Sequence, residues 1–231
     1  MSTARRPRCL VLHSGGLDST TCLLLARARG RDVISLGIRY GQRHDIELDV
    51  AARQCRAHGI PRRIIDVAWQ KPEIAIPLDR DFESMKTGIA PTFVPGRNAV
   101  FLALACAEAA GVGATEVWLG VNAVDYSGYP DCRASFLAAF TAMWREAVPD
   151  PPAIVSPLVR LGKPEIAALA AALGLAKADT WSCYAPVGDG AAEAHPCGRC
   201  DACRLNDLAW TEAGKHQIDP KSVVLEGAML G

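Results

Sequence analysis

The stretch Cys9–Ser19, with the sequence CLVLHSGGLDS, combines an apolar run, a glycine turn and two serines. The apolar residues 9–13 predict a short buried strand, and the pattern over residues 19–29, closed by Gly30, predicts a helix. At such a junction the helix N-terminus offers N–H groups that the helix does not use, together with a partial positive charge. Paired glycines let the backbone curve around an anion, so the stretch predicts a phosphate-binding loop at the first turn of an α/β fold.

The loop differs from two common nucleotide-binding patterns. It lacks the Gly-Lys-[Ser/Thr] ending of a Walker A loop and the Gly-x-Gly-x-x-Gly spacing of dinucleotide-binding proteins. Asp18 beside an anion is expected either to hold Mg²⁺ or to cap the helix. His13 either contacts the nucleotide or packs, with packing favoured, and the Leu17 side chain is expected to point away from phosphate. The residues assigned to nucleotide binding are His13, Ser14, Gly15, Gly16, Leu17, Asp18, Ser19, Thr20, Thr21, Cys22 and Leu23.

The rest of the chain alternates strand and helix signals. Further strands are predicted at residues 33–38, 63–67, 116–121 and 153–156, and further helices at residues 45–58, 97–110, 132–148, 163–173 and 204–213. This rhythm is typical of a doubly wound α/β fold with a five-stranded parallel sheet. Residues 68–96 and 122–131 carry no regular pattern. Residues 1–178 are expected to form a nucleotide-binding domain, and residues 179–231 a cysteine-rich segment with a C-terminal helix.

The composition shows no charge bias. The 231 residues include 25 Lys and Arg and 25 Asp and Glu, so the formal net charge is zero. A neutral chain has no basic field for nucleic acid, which favours a small-molecule enzyme. The apolar run after the basic residues 1–8 is too short for a signal peptide. The sequence also contains no run of about 20 apolar residues, which is the length that spans a membrane. The sequence thus predicts a cytoplasmic protein without nucleic-acid or membrane partners.

Four of the nine cysteines cluster late in the chain with the spacing C-x13-C-x2-C-x2-C. They are Cys183, Cys197, Cys200 and Cys203, and their spacing predicts a closed, structural zinc site with four thiolate ligands. An iron–sulfur cluster fits the same spacing, His195 offers an alternative ligand, and a redox pair or disulfides are further alternatives. Zinc is favoured over all of these. The scattered cysteines are expected to be small buried hydrophobes: Cys9, Cys22, Cys55, Cys106 and Cys132.

The loop Ser14–Ser19, SGGLDS, resembles the pyrophosphatase loop of the N-type ATP pyrophosphatases. The resemblance implies an adenine nucleotide alpha hydrolase-like fold, cleavage of ATP between its α and β phosphates, and an adenylated intermediate. Four further segments make nearly the whole chain, from about Arg8 to the helix after Cys203, similar to the 7-cyano-7-deazaguanine synthases. These segments are RYGQRH at residues 39–44, TFVPGRN at 92–98, YSGYPDCR at 126–133 and TWSCY at 180–184.

The resemblance also implies an activity. Members of that family convert 7-carboxy-7-deazaguanine, ammonia and ATP into 7-cyano-7-deazaguanine, the nitrile used for queuosine. For this chain it implies ATP with Mg²⁺, a structural Zn²⁺ ion and a homodimer, with free ammonia as the nitrogen source because no glutaminase segment is visible. Two alternatives stay open: a tRNA-modifying enzyme of the thiolase or lysidine synthetase type, and a nucleotide sensor without catalysis. The nucleotide product, AMP or ADP, is also open.

Candidate site residues follow from position and from the resemblance. Arg97 and Asn98 open a helix, where a guanidinium and an amide can bind phosphate or carboxylate oxygens. Lys163 also stands at a helix start, like a lysine that approaches the α phosphate in ATP pyrophosphatases. The residues assigned to catalysis are Arg97, Lys163 and Asp18. Those assigned to the substrate are Tyr40, Gln42, Asn98, Asp125, Tyr126, Tyr129 and Asp131, although the stretch 125–131 also fits a plain turn.

Overall fold

The computed structural model describes residues 6–41, 46–69, 76–85, 89, 91–122, 129–188 and 194–225. Five parallel strands form one sheet in the order β3-β2-β1-β4-β5. The strands are β1 Arg8–Leu12, β2 Asp32–Arg39, β3 Arg62–Asp66, β4 Glu116–Trp118 and β5 Ala153–Val155. The predicted doubly wound, five-stranded parallel sheet is confirmed.

The helices connect the strands and close the C-terminal part. They are α1 Leu17–Ala28, α2 Ile46–His58, α3 Phe82–Met85, α4 Arg97–Val112, α5 Ala134–Ala147, α6 Lys163–Ala172 and α7 Asp201–Glu212. Short 3₁₀ turns cover Pro130–Cys132, Lys177–Asp179 and Ala213–Lys215.

Strand side chains alternate between two hydrophobic cores. Cys9 and Val11 of β1 pack in one core with side chains of α1, α6 and α7. Leu10 packs in the other core with Val117 of β4 and with side chains of α4 and α5. The helices therefore cover both faces of the sheet and leave the carboxyl ends of the strands as the accessible edge.

Several elements differ from the sequence prediction; strand β4, for example, was predicted to run to residue 121 and ends at Trp118. Helix α1 begins earlier than predicted because Gly16 already has the extended backbone of an N-cap and Leu17, 5% exposed, packs into the core. Helix α7 also begins earlier, which places Cys203 in its first turn. The short helix α3 lies in a stretch that was predicted to be irregular, since four residues are too few to show a period.

The C-terminal part of the chain packs directly against the sheet-bearing part. Ala209 of α7 and Ala213 beyond it join the same core as α1 and α6. The division at residue 178 stays a prediction. Among the described residues, no helix is both long and apolar enough to cross a membrane.

Candidate active site

A cavity of about 940 Å³ lies at the carboxyl ends of the strands, next to the point where the strand order reverses between β1 and β4. Ligands of open α/β sheets bind at such a switch point. The volume is at the upper end of the range for small-molecule sites. The predicted residues that line the cavity are His13, Ser14, Gly16, Leu17, Asp18, Ser19, Tyr40, Arg97, Asn98, Tyr129, Lys163 and Cys183.

Gly15 sets the shape of the phosphate loop. Its φ is +93°, and a Cβ there would lie 2.7 Å from the carbonyl oxygen of Glu47, so a larger residue would displace α2. Its own carbonyl accepts hydrogen bonds from the backbone N–H of Trp181 (3.0 Å) and from Gln54 Nε2 (3.3 Å). Contacts with α2 and with the segment at Trp181 therefore fix the loop before any ligand binds.

The start of α1 presents hydrogen-bond donors to the cavity. The first helical bond runs from Thr20 N to Gly16 O (3.0 Å), so the N–H groups of residues 17–19 precede the helix's own bonding. The hydroxyls of Ser14 and Ser19 lie 3.0 Å apart on the same side. These N–H groups and the two serine hydroxyls are donors of the kind that phosphate binding uses.

A buried polar network beneath the loop decides whether His13 contacts the nucleotide or packs inside the protein. Gln54 Nε2 donates to backbone carbonyls, so Gln54 Oε1 accepts from His13 Nε2 at 2.9 Å. The other ring nitrogen, Nδ1, is 3.0 Å from Ser35 Oγ. Burial, with the nearby Arg62 charge, lowers the pKa of His13 to about 3. His13 is thus a neutral packing residue that supports the loop.

Four of the residues assigned to the nucleotide require correction. Thr20, Thr21, Cys22 and Leu23 are all 0% exposed. The Thr20 hydroxyl donates to Gly16 O at 2.7 Å, and the Thr21 hydroxyl donates to Leu17 O at 2.7 Å. Their side chains point into the protein because the buried face of α1 begins there. None of the four therefore offers a side chain to the cavity.

Asp18 pairs with Lys163 across the cavity. The Lys163 ammonium donates to Asp18 Oδ2 at 2.7 Å, and the two side chains are 19% and 24% exposed. The helix N-cap is Gly16, without a side-chain cap, so the alternative that Asp18 caps the helix is wrong. Lys163 begins α6, and its position is fixed because Glu165 Oε2 accepts the Gly162 N–H at 2.7 Å. The pair joins two elements distant in sequence beside the phosphate loop.

Arg97 lies among aromatic and acidic side chains at the start of α4. Its guanidinium is 5.9 Å from the ring centroid of Tyr129 and hydrogen-bonds to Tyr40. Glu47 also lines the cavity, and burial raises the pKa of Glu47 to about 7 while the Arg97 charge opposes the rise. This corner combines a fixed cation with a carboxyl group that titrates near neutrality.

Asn98 and Asp131 bond to each other. Asn98 N donates to Asp131 Oδ2 at 3.0 Å, and Asn98 Nδ2 donates to Asp131 O at 3.1 Å. Asp131 is 7% exposed and does not line the cavity, so its assignment to the substrate is corrected: it fixes the start of α4. Of the other predicted substrate residues, Tyr40 and Tyr129 line the cavity, and Gln42, Asp125 and Tyr126 lie outside the described residues.

The four clustered cysteines come together as predicted. The four Sγ atoms lie within 4.8 Å of one another, and Cys197 Sγ is 4.0 Å from Cys203 Sγ. Tetrahedral zinc with bonds of about 2.3 Å places sulfur atoms about 3.8 Å apart, so the group fits such an ion. Burial opposes ionisation of Cys197, but N–H groups of Arg199 and Cys200 at 3.4 Å lower the pKa of its thiol.

The structure also bears on the alternatives to a metal site with four cysteine ligands. All nine cysteines are free, so the disulfide alternative is wrong. His195 is not part of the four-residue group.

We call Cys183 together with residues 197–203 the cysteine knuckle. The segment 76–80, which the sequence left unassigned, packs on it, since Leu78 forms a β-bridge with Cys200.

The comparisons with known proteins agree with this geometry. The chain matches the model of a family described as "Queuosine biosynthesis protein QueC" over residues 8–214. The chain belongs to the QueC family. A Rhodopseudomonas palustris (strain HaA2) protein named 7-cyano-7-deazaguanine synthase 2 is 53% identical over 208 residues, which are 90% of this chain and 98% of that relative. A Solidesulfovibrio magneticus protein named 7-cyano-7-deazaguanine synthase is 42% identical over 228 residues, 93% of this chain and 95% of that relative.

Membership of the QueC family confirms the predicted resemblance. The sequence analysis did not, however, identify two residues of the site. Gln54 and Glu47 both lie within the helical pattern of α2, where polar residues are usually solvated. The signal for Gln54 was its position next to Cys55 on the buried face of that helix. Glu47 faces the cavity only because Gly15 brings the loop against α2.

Proposed function

We propose that the chain is a 7-cyano-7-deazaguanine synthase: an ATP-dependent carbon–nitrogen ligase that adenylates the carboxylate of 7-carboxy-7-deazaguanine and replaces it with a nitrile. The observation that carries the proposal is the 53% identity, over 90% of the chain, to a relative with that name. It is supported by one cavity that contains the phosphate loop, Lys163 and Arg97.

ATP is proposed to lie across the carboxyl ends of the strands. The donors of residues 14–19 would bind its phosphates, and the side chains of Leu36, Ile38 and Leu48 form an apolar wall of the cavity that suits the adenine ring. Lys163 and Arg97 would stabilise the negative charge that develops during phosphoryl transfer. Their contacts with Asp18 and Tyr40 hold both cations in place before the substrates arrive.

The proposed reaction has two activation steps. The substrate carboxylate attacks the α phosphate, the bond to the β phosphate breaks, and pyrophosphate leaves. Ammonia attacks the acyl carbon, AMP leaves with the former carboxylate oxygen, and loss of a proton gives the amide. A second ATP adenylates the amide oxygen in the same way, and departure of that oxygen with AMP, with loss of the remaining N–H protons, gives the nitrile.

The described residues suit both metal ions that the resemblance implies. Asp18 supplies a carboxylate beside the phosphate loop, so it is the candidate protein ligand for Mg²⁺, which would neutralise phosphate charge. Zn²⁺ would be held by Cys183, Cys197, Cys200 and Cys203. Four thiolates fill all positions of a tetrahedral ion, so its role is structural.

The finer parts of the proposal rest on the family resemblance and on the sequence. They are a homodimer, a cytoplasmic location and the absence of a nucleic-acid partner. Sedimentation of the purified protein tests the dimer, and a single species of monomer mass would overturn it. A gel shift with tRNA at stated salt tests the tRNA-modifying alternative.

The deciding experiment incubates the protein with ATP, Mg²⁺, ammonium and 7-carboxy-7-deazaguanine and follows the nitrile by mass spectrometry. We expect nitrile to form only when all components are present, with AMP and pyrophosphate as the nucleotide products. ADP and phosphate would overturn cleavage at the α phosphate. ATP binding without substrate-dependent turnover would instead support the sensor alternative.

A further inference from the structure

Asn122 is a buried amide without a hydrogen-bond partner among the residues that the structure describes. It is 3% exposed, and neither Oδ1 nor Nδ2 has a hydrogen bond within the described part of the chain. Asn98 provides the contrast, because its Nδ2 donates to Asp131 O at 3.1 Å. Buried amides are nearly always satisfied, so an unsatisfied one in a native fold needs an explanation.

Asn122 lies just beyond β4, at the switch point of the sheet. The chain after β4 stays beside β5, since Leu119 N donates to Val155 O at 3.0 Å. Gly120 then passes so close to α1 that a Cβ would lie 2.8 Å from Asp18 O. Asn122 follows directly and lines the cavity. Its unsatisfied amide therefore borders the space where ligands of this fold bind.

The other polar groups of the cavity match the charged parts of the substrates. Arg97 and Lys163 are cations that suit phosphates and a carboxylate, and Asp18 is the candidate for Mg²⁺. The side of the cavity next to β2 is walled by Leu36 and Ile38, which suit adenine. Asn122, on the side of β4, is neutral. It suits the neutral polar edge of a second ring rather than a charged group.

We propose that Asn122 is a specificity-determining residue that hydrogen-bonds to the lactam edge of the carboxylated heterocycle. A carboxamide offers one acceptor and one donor group side by side. Oδ1 accepts the ring N–H, and Nδ2 donates to the adjacent ring carbonyl. The assignment rests on the proposed function and adds the residue that selects the ring. Asn122 binds the substrate and takes no part in bond making.

The test combines an enzyme variant with a substrate analogue. The variant is Asn122→Ala, and the analogue is the carboxylated heterocycle with hydrogen in place of the ring carbonyl oxygen. We expect wild-type kcat/KM to be about 10- to 100-fold lower for the analogue than for the parent compound. In Asn122→Ala the KM for the parent rises by a similar factor, and the preference for the parent falls to within about threefold. The KM for ATP stays within about twofold.

Asn206→Ala is the matched control. Asn206 also lines the cavity and also has a buried, unsatisfied Oδ1, but it lies on α7. This variant should keep the wild-type preference for the parent compound. Thermal unfolding without ligand separates recognition from a structural role. Because Asn122 has no hydrogen-bond partner among the described residues, its replacement by alanine should leave Tm within about 2 °C of wild type or raise it.

Three outcomes would overturn the inference. The first is an unchanged preference in Asn122→Ala when wild type forms the nitrile, and this leaves the proposed function standing. The second is a rise in the KM for ATP instead of the heterocycle, which would assign Asn122 to adenine. The third is a wild-type protein that neither turns over the heterocycle nor binds it in calorimetry, and this outcome removes the proposed function as well.

Discussion

The phosphate loop and the cysteine knuckle border the same cavity but are held in different ways. The loop is supported by a buried hydrogen-bond network of two neutral side chains, His13 and Gln54. His13 is 2% exposed and Gln54 is 6% exposed. The knuckle is held by the partly buried pair Arg80–Asp201 and, at its surface, by the pair Arg199–Asp79, whose side chains are more than half exposed. Such a surface pair adds little stability. Buried hydrogen bonds therefore preform the loop, whereas the knuckle combines these two ion pairs with its four thiols and the ion that they fit.

The two regions also contact each other. Trp181 N donates to Gly15 O at 3.0 Å, and Gln54 Nε2 donates to Asp179 O at 2.5 Å. The first bond joins the loop directly to the segment that leads into Cys183. The second joins it through Gln54, which also donates to Gly15 O. A change in the structure of the knuckle, such as loss of its metal, can therefore alter the position of the loop. The following experiments separate what each region contributes to stability and activity.

The largest effect is expected when the knuckle loses its metal. Structural zinc contributes about 10 kcal/mol or more to the folding of small metal-binding segments. Cys200→Ser should lose the bound metal, lower Tm by more than about 10 °C and reduce kcat/KM for ATP by about 100-fold or more. Metal analysis, thermal unfolding and steady-state kinetics measure these effects.

Cys132→Ser is the control for this prediction, because Cys132 is outside the four-cysteine group and should keep the metal content unchanged. Circular dichroism should show that Cys200→Ser retains the sheet. Full activity in a protein freed of metal by a chelator would contradict a structural role for the ion.

A smaller and more selective effect is expected at Lys163, which acts on the loop side. Removal of a charge that stabilises a transition state typically costs about 10²- to 10³-fold in kcat. Lys163→Met should show a loss of this size, while the free energy of unfolding changes by only a few tenths to about 1 kcal/mol, since the Lys163–Asp18 pair is partly exposed. Nitrile formation and the metal content of the same preparation are the measurements.

Lys163→Arg keeps the charge and should recover part of the activity. An equal loss in both variants would show that ammonium geometry, rather than charge, is required. A loss of metal in Lys163→Met would contradict the separation between the loop and the knuckle.

The connection between the regions is tested at Gln54, with a moderate effect expected. Gln54→Leu removes the bonds that Gln54 makes to His13 Nε2 and to the carbonyls of Gly15 and Asp179, which costs about 1–3 kcal/mol. The KM for ATP should rise about 10-fold because the loop loses a support. Gln217→Leu makes the same change at an exposed position and should have neither effect. Gln54→Leu with a wild-type KM for ATP would show that Trp181 N suffices to hold the loop.

The difference between the two regions also explains what could be predicted from the sequence. The strand–loop–helix stretch and the cysteine spacing are local patterns, so the parallel sheet and the four-cysteine group were found. Gln54, Glu47 and Asn122 carry no local pattern, because their roles depend on contacts between distant elements. Asp131 and Thr20 were assigned to ligands because their polarity is visible in the sequence, whereas their buried protein partners are not.

The smallest expected effect concerns the charge of Glu47 and its dependence on pH. Burial raises its pKa from 4.5 to about 7, so between these values the folded protein binds more protons than the unfolded chain. Stability therefore falls as pH rises through this window, and above pH 7 the buried charge is a constant cost that Arg97 only partly offsets.

Glu47→Gln removes this ionisation. The variant should match wild type near pH 4.5 and exceed its Tm by about 2–5 °C at pH 8, measured by thermal unfolding in buffers of equal ionic strength. Asp49→Asn, at an exposed position of the same helix, is the control and should show no such gain. An equal Tm difference at both pH values would mean that the carboxyl group is not destabilised by burial. A gain confined to high pH would show that the loop side of the cavity stores an electrostatic cost, which the cation Arg97 only partly offsets.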